Sequence, residues 1–163
     1  MQEIYLLLGS NLGNSLDYLK NAAQLIDEQI GSIIKPSSYY QTAAWGKSNQ
    51  PDFINQAISL KSSTPAVKLL NAIWSIEDNL DRKREERWGA RTIDIDIIFY
   101  GSQIINLPEL IIPHKLLHER RFVLMPLNEI APQFIHPVIG KTINQLLLEL
   151  TDDLSVRKLE KYN

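Results

Sequence analysis

An α+β fold is predicted by three observations on this sequence. Strand-length apolar runs alternate with segments of helical periodicity, the order reads β-α-β-β-α-β, and a further helical stretch follows toward the C-terminus. The chain has 163 residues with 44% hydrophobic and 22% charged residues. Those values suit one globular domain, expected over residues 1–163, with enough apolar surface to bury a core.

The first strand is read in "EIYLLL", residues 3–8, and a turn in Gly9 to Gly13. Asn14 or Ser15 is the expected cap of a helix carrying Leu16, Leu19, Ala23, Ile26 and Ile30, which Gly31 ends. "SIIKPSSYYQT" reads as one strand with Pro36 at an edge or bulge, and residues 42–51 as a loop. In "DFINQAISLKS" the alternation puts Ile54, Ile58 and Leu60 on one side and Phe53, Asn55 and Ala57 on the other. Thr64-Pro65 supplies a cap and a first-turn proline for a second helix, with Leu69, Leu70, Ile73, Trp74, Glu77 and Leu80 on or near one stripe. A fourth strand follows at Ile93–Tyr100, then a short one around Ile104, an "IIPH" turn, a helix from Arg121 to Leu127 and a last helix with Ile143, Leu146, Leu147 and Leu150. This order is that of a ferredoxin-like sheet with helices on one face, followed by a C-terminal helical extension.

Composition excludes several functions. Without cysteine there are no disulfides or thiolate metal sites, and the expected compartment is the cytoplasm. No apolar run reaches the roughly 18 residues of a membrane span, and "MQEIYLLLGSN" lacks the basic start of a signal peptide. A net charge of −2 and a pI near 5.9 argue against nucleic acid as a partner. Anion binding must therefore come from local clustering.

That clustering is found in "RKREERWGARTIDIDIIFY". Alternation places Ile93, Ile95, Ile97 and Phe99 on one face and Thr92, Asp94, Asp96 and Ile98 on the other. The two aspartates then lie side by side, their α-carbons about 6.5–7 Å apart. Paired carboxylates suit two Mg²⁺ ions, which prefer oxygen ligands, although a bare D-x-D also fits a solvated sheet edge. Five of the chain's 17 basic residues lie between positions 82 and 91, and arginine suits bidentate phosphate contacts. Carboxylates for metals beside arginines for phosphates describe a nucleoside triphosphate site. No Walker A or G-x-G-x-x-G pattern is present, since "GSNLGN" misses both spacings. Trp88 and Gly89 within the cationic segment suggest a lid over nucleotide. A two-metal phosphodiesterase or nucleotidyl transferase would use the same aspartates. An RNA-binding sheet is the non-enzymatic alternative.

The motifs "GSNLGN", "SSYYQT", "QPDFINQA", "RKREERWGARTIDIDI", "IPH" and "ERRFVLMPLNEIAP", in this order, resemble the 6-hydroxymethyl-dihydropterin pyrophosphokinase family of the folate pathway. The resemblance spans nearly the whole chain. It implies transfer of pyrophosphate from ATP to the pterin hydroxymethyl group, releasing AMP, by a monomer with two Mg²⁺ ions on Asp94 and Asp96. Arg82 and Arg91 would stabilise the transferring group, while Arg84 and Trp88 would close over ATP. His114 and Arg120 match phosphate contacts, and Ile97 an adenine contact through its backbone. Phe53 and Phe122 would sandwich the pterin, Asn55 would hydrogen-bond its edge, and Thr42, Ala43 and Trp45 would line the pocket. Three positions depart from the family pattern: Ala44 and Ala90 replace prolines, and Asp81 stands where a glycine often precedes the first arginine.

Overall fold

In the computed structural model, residues 1–43, 49–83 and 89–160 are described. In chain order the elements are β1 (Gln2–Ser10), α1 (Ser15–Gln29), β2 (Ile33–Pro36), β3 (Tyr40–Thr42), β4 (Phe53–Ser62), α2 (Ala66–Asn79), β5 (Asp94–Tyr100), β6 (Ile105–Leu107), β7 (Leu110–Ile112), α3 (Arg121–Ile130), α4 (Ile143–Glu149) and β8 (Val156–Lys158). The continuous apolar run of β1 marks a strand covered on both faces, and β1 lies between β5 and β4, antiparallel to each. The sheet continues from β4 to β3 and β8, with β2 also on β4. The ferredoxin-like order is thus present.

The two faces bury different sets. Ile4, Leu6, Leu8, Ile58 and Leu60 pack with Leu19 and Ile26 of α1 and Leu69, Ile73 and Ile76 of α2. On the opposite face Tyr5, Leu7 and Ala57 pack against Val123, Leu124 and Leu127 of α3 and Ile143 and Leu146 of α4. The C-terminal extension is therefore the cover of the second face. At the sheet end that carries Gly9, Asn55 and Asp94, those residues line a pocket together with Phe122 from the start of α3.

Four local expectations are corrected. "SIIKPSSYYQT" forms two strands, β2 and β3, because the ladder is interrupted at Ser37 and Ser38: Ser37 N still donates to Ala57 O at 2.8 Å, but the Ser37 hydroxyl takes the Ala57 N–H at 2.9 Å and Ser38 N turns to Glu129 Oε1 at 3.0 Å. Thr64 does not cap α2; Pro65 is the cap residue and makes no side-chain cap bond. Trp74 lies off the buried stripe of α2, 42% exposed. The period-two alternation of β5 breaks at a register shift opposite Tyr5 and Leu6, so Ile98 and Phe99 both join the second core and Tyr100 returns to the first. β8 is an element that the pattern reading did not anticipate. Among the described residues no helix is long and apolar enough to cross a membrane.

Candidate active site

The register of three strands assembles the site. Gly9 of β1 stands opposite Asn55 of β4 and Asp94 of β5, and Leu7 stands opposite Asp96. Directly opposed residues of antiparallel strands share a face, so the amide and both carboxylates share one side of the sheet.

Two guanidinium groups settle the charge of Asp94. Arg82 donates from Nη1 to Asp94 Oδ1 at 2.7 Å, and Arg91 from Nη1 to Asp94 Oδ2 at 3.0 Å. Arg82 is also paired with Glu77, a carboxylate of α2 that is almost wholly buried and also accepts from Ile95 N at 3.0 Å. Burial first, then the charges of Asp94 and Glu77, hold the Asp96 carboxyl well above its ordinary range despite the opposing pull of Arg82 and Arg91. A cation bound there would reverse that balance. Among the described residues no third His, Cys, Asp or Glu joins the pair in a metal-ligating cluster. Mg²⁺ is commonly held by one or two carboxylates plus substrate phosphates, so this donor set fits it.

Asn11 braces the surroundings. Its Oδ1 accepts from Arg91 N at 2.9 Å, and its Nδ2 donates to Gln50 Oε1 at 3.2 Å and Pro51 O at 3.0 Å. Thus one buried amide ties the approach to Arg91 to the start of β4. Asp81, just before Arg82, sits in the left-handed region with φ 66°, where glycine carries no penalty and Asp is among the better-tolerated residues. That accounts for the glycine expected at this position. Tyr18 Oη donates to Asp81 Oδ2 at 3.0 Å, a contact glycine would lack.

Two hollows meet at the aspartates. One is lined by Thr42, Ala43, Phe53, Asn55, Arg91, Arg120 and Phe122, and the other by Leu70, Trp74, Glu77, Arg82, Ile97, Ile111 and His114; Asp94 and Asp96 border both. In the first, Phe53 and Phe122 are half-buried, and the Asn55 Nδ2 is buried without a hydrogen-bond partner among the described residues. Thr42 contributes little polarity, because its hydroxyl donates to Ser155 O at 3.1 Å. The Arg120 guanidinium lies 5.7 Å from the Phe122 ring centroid, at the upper end of cation–π range. In the second hollow His114 accepts at Nδ1 from Leu116 N at 3.4 Å, which leaves Nε2 as the donor. Burial first and Arg120 second lower the His114 pKa, so the ring is neutral at neutral pH.

Of the sequence-derived candidates, the structure brings together Arg82, Arg91, Asp94, Asp96, Ile97, His114, Arg120, Thr42, Ala43, Phe53, Asn55 and Phe122 around these two hollows. Trp45, Arg84 and Trp88 lie outside the described residues, as does Ala44. Sequence reasoning missed Gly9 and Asn11, read only as turn residues. It placed Glu77 on an apolar stripe without asking what a carboxylate does there, and that anomaly was the available signal.

A ferredoxin-like α+β sheet with paired carboxylates between an aromatic pocket that holds Arg91 and Arg120 and a cleft that holds Arg82 and His114 fits an enzyme of the phosphotransferase class. The 7,8-dihydro-6-hydroxymethylpterin-pyrophosphokinase family model matches residues 5–132. The chain is 38% identical over 151 residues to the 2-amino-4-hydroxy-6-hydroxymethyldihydropteridine pyrophosphokinase of Aquifex aeolicus, covering 93% of this chain and 94% of that protein. The enzyme of the same name from Synechocystis is 42% identical over 141 residues, 86% of this chain and 72% of its own. The fold is similar to that of wild-type Plasmodium falciparum HPPK-DHPS, with a TM-score of 0.74 and 19% identity over 91% of this chain and 43% of that one. The chain thus spans less than half of that longer protein. It belongs to the 7,8-dihydro-6-hydroxymethylpterin-pyrophosphokinase family.

Proposed function

We propose that the two hollows take the two substrates of an ATP-dependent diphosphokinase reaction, with Asp94 and Asp96 at their junction. The pterin ring lies between Phe53 and Phe122, an arrangement that suits a flat heterocycle. The Asn55 amide, buried and unpartnered, then gains the acceptor it lacks from the polar ring edge. ATP lies in the second hollow, its base at the apolar end near Leu70 and the Ile97 backbone, and its phosphates toward Arg82, Arg91, His114 and Arg120. Trp45 joins the pterin wall, while Arg84 and Trp88 cover the nucleotide. Bound Mg²⁺, two ions in this reading, supplies charge neutralisation at the phosphates and lowers the pKa of the hydroxyl. In this reading a monomer carries the reaction.

The observation that carries this reading is that Asp94 and Asp96 border both hollows. A group passing from one substrate to the other passes over them. Arg82 and Arg91, now engaged with Asp94, can turn to phosphate oxygens once other cations neutralise the carboxylates. They then spread the charge of the transferring pyrophosphoryl group.

The test is nucleotide chromatography of the reaction with ATP, Mg²⁺ and 6-hydroxymethyl-7,8-dihydropterin. AMP and the pterin diphosphate should form in equal amounts, only when the pterin is present, and chelation of Mg²⁺ should stop both. ADP with a pterin monophosphate, or AMP without pterin, would overturn the reading.

A further inference from the structure

Gly9 occupies the middle of the pterin-side row without offering a side chain. A glycine inside a strand weakens it and marks either a special backbone conformation or a close approach. The first reason fails here: Gly9 is not among the described glycines with positive φ, which are Gly13, Gly101 and Gly140. The second holds. A Cβ on Gly9 would stand 2.6 Å from Asn55 Oδ1 and 3.7 Å from Phe53 Cδ1. The first distance is a clash and the second an ordinary contact. No atom of Asp94, the opposite neighbour, is among the three nearest.

We propose that Gly9 is a positioning residue for the pterin: the side chain it lacks is the space that lets the Asn55 amide lie over β1 and face the pocket. This rests on the pterin reading above and deepens it. Asn55 is 3% exposed, and its oxygen sits where a residue 9 side chain would be, so its nitrogen is left for a ligand. Its side chain is short and ends in the clashing atom. An added methyl group is therefore relieved by rotating the amide rather than by moving backbone. The strand survives, and what is lost is the direction in which Asn55 points.

The inference is tested with Gly9→Ala, Asn55→Ala and the double variant. Calorimetry measures the affinity of 6-hydroxymethylpterin in the presence of a non-hydrolysable ATP analogue with Mg²⁺, and separately the affinity of that analogue. Gly9→Ala should weaken pterin binding by about ten- to a hundredfold, the range expected when a buried hydrogen bond is lost. Affinity for the ATP analogue should stay within about twofold, and Gly9→Ala should add almost nothing in the Asn55→Ala background, as expected for two residues acting through one contact. Undiminished pterin affinity, equal loss of both ligands, or an undiminished effect in the Asn55→Ala background would each overturn it. Should Gly9→Ala fail to fold, a double variant that regains the melting temperature of Asn55→Ala assigns the fault to this contact and supports the inference. A double variant that also fails overturns it. Wild-type protein that binds the ATP analogue but not the pterin is a different result, because it removes the pterin reading itself.

Discussion

Asp94 carries an arginine on each oxygen, whereas Asp96 has its pKa raised by burial first and its acidic neighbours second. The pair is thus asymmetric before any substrate arrives. Neither side chain supports the core, since both point away from the Ile93, Ile95 and Ile97 set. Asp94→Asn and Asp96→Asn are therefore expected to fold and to lose at least about a hundredfold in turnover. Losing a metal ligand removes several kcal/mol from the transition state, and each ~1.36 kcal/mol is tenfold. Steady-state rates beside circular dichroism melts decide this, and near-normal turnover in either folded variant would remove the metal role. This pair was legible because strand alternation is strict over three residues. Glu77 was not assigned a role, because its work depends on Arg82 and the Ile95 amide, which only tertiary structure brings to it.

At the scale of elements, Glu129 of α3 ties the sheet edge to the second core. It accepts from Tyr40 Oη at 2.5 Å, Ser38 Oγ at 2.8 Å and Ser38 N at 3.0 Å, with Lys158 of β8 at 3.9 Å. Burial alone would raise its pKa, but the hydrogen bonds from Tyr40 and Ser38, with Lys158, bring it below the ordinary 4.5. A depressed folded-state pKa contributes stability above the unfolded value that is lost as pH falls through the folded one. Wild type should therefore exceed Glu129→Gln by about 1.5–3 kcal/mol at pH 6, the range for hydrogen bonds to a charged group. The gap should close as pH falls from about 4.5 into the range below it. Urea titrations across that range check this, and a gap independent of pH would contradict it. The strands around Asn55 and Asp94 were readable from period two, and α1 from its cap and stripe. β8 and the split of β2 from β3 were not, because they depend on partners far along the chain: Lys158 pairs with Tyr40, and Ser37 with Ala57. The break in β5 was equally hidden, since a bulge changes pairing without changing composition.

At the scale of the whole molecule, the two hollows share a wall and also a brace. Asn11 is 4% exposed and bonds at once to Arg91, whose guanidinium pairs with Asp94 at the junction of the two hollows, and to Gln50 and Pro51, at the entrance to the strand bearing Phe53 and Asn55. Fixing either side then restrains the other, so the first ligand bound should reduce what the second must order. Coupling of this kind is reciprocal: the factor by which the ATP analogue tightens pterin binding equals the factor by which the pterin tightens the analogue. Asn11 lines neither hollow, so Asn11→Ala removes the brace without removing a lining side chain. It should lower that shared factor several-fold, and stability should fall by about 1–3 kcal/mol because buried backbone groups lose their partner. Four affinities close the cycle: each ligand alone, and each in the presence of saturating amounts of the other. If Asn11→Ala weakens both ligands while leaving the coupling factor intact, the brace is only structural, and communication runs through the shared wall of Asp94 and Asp96.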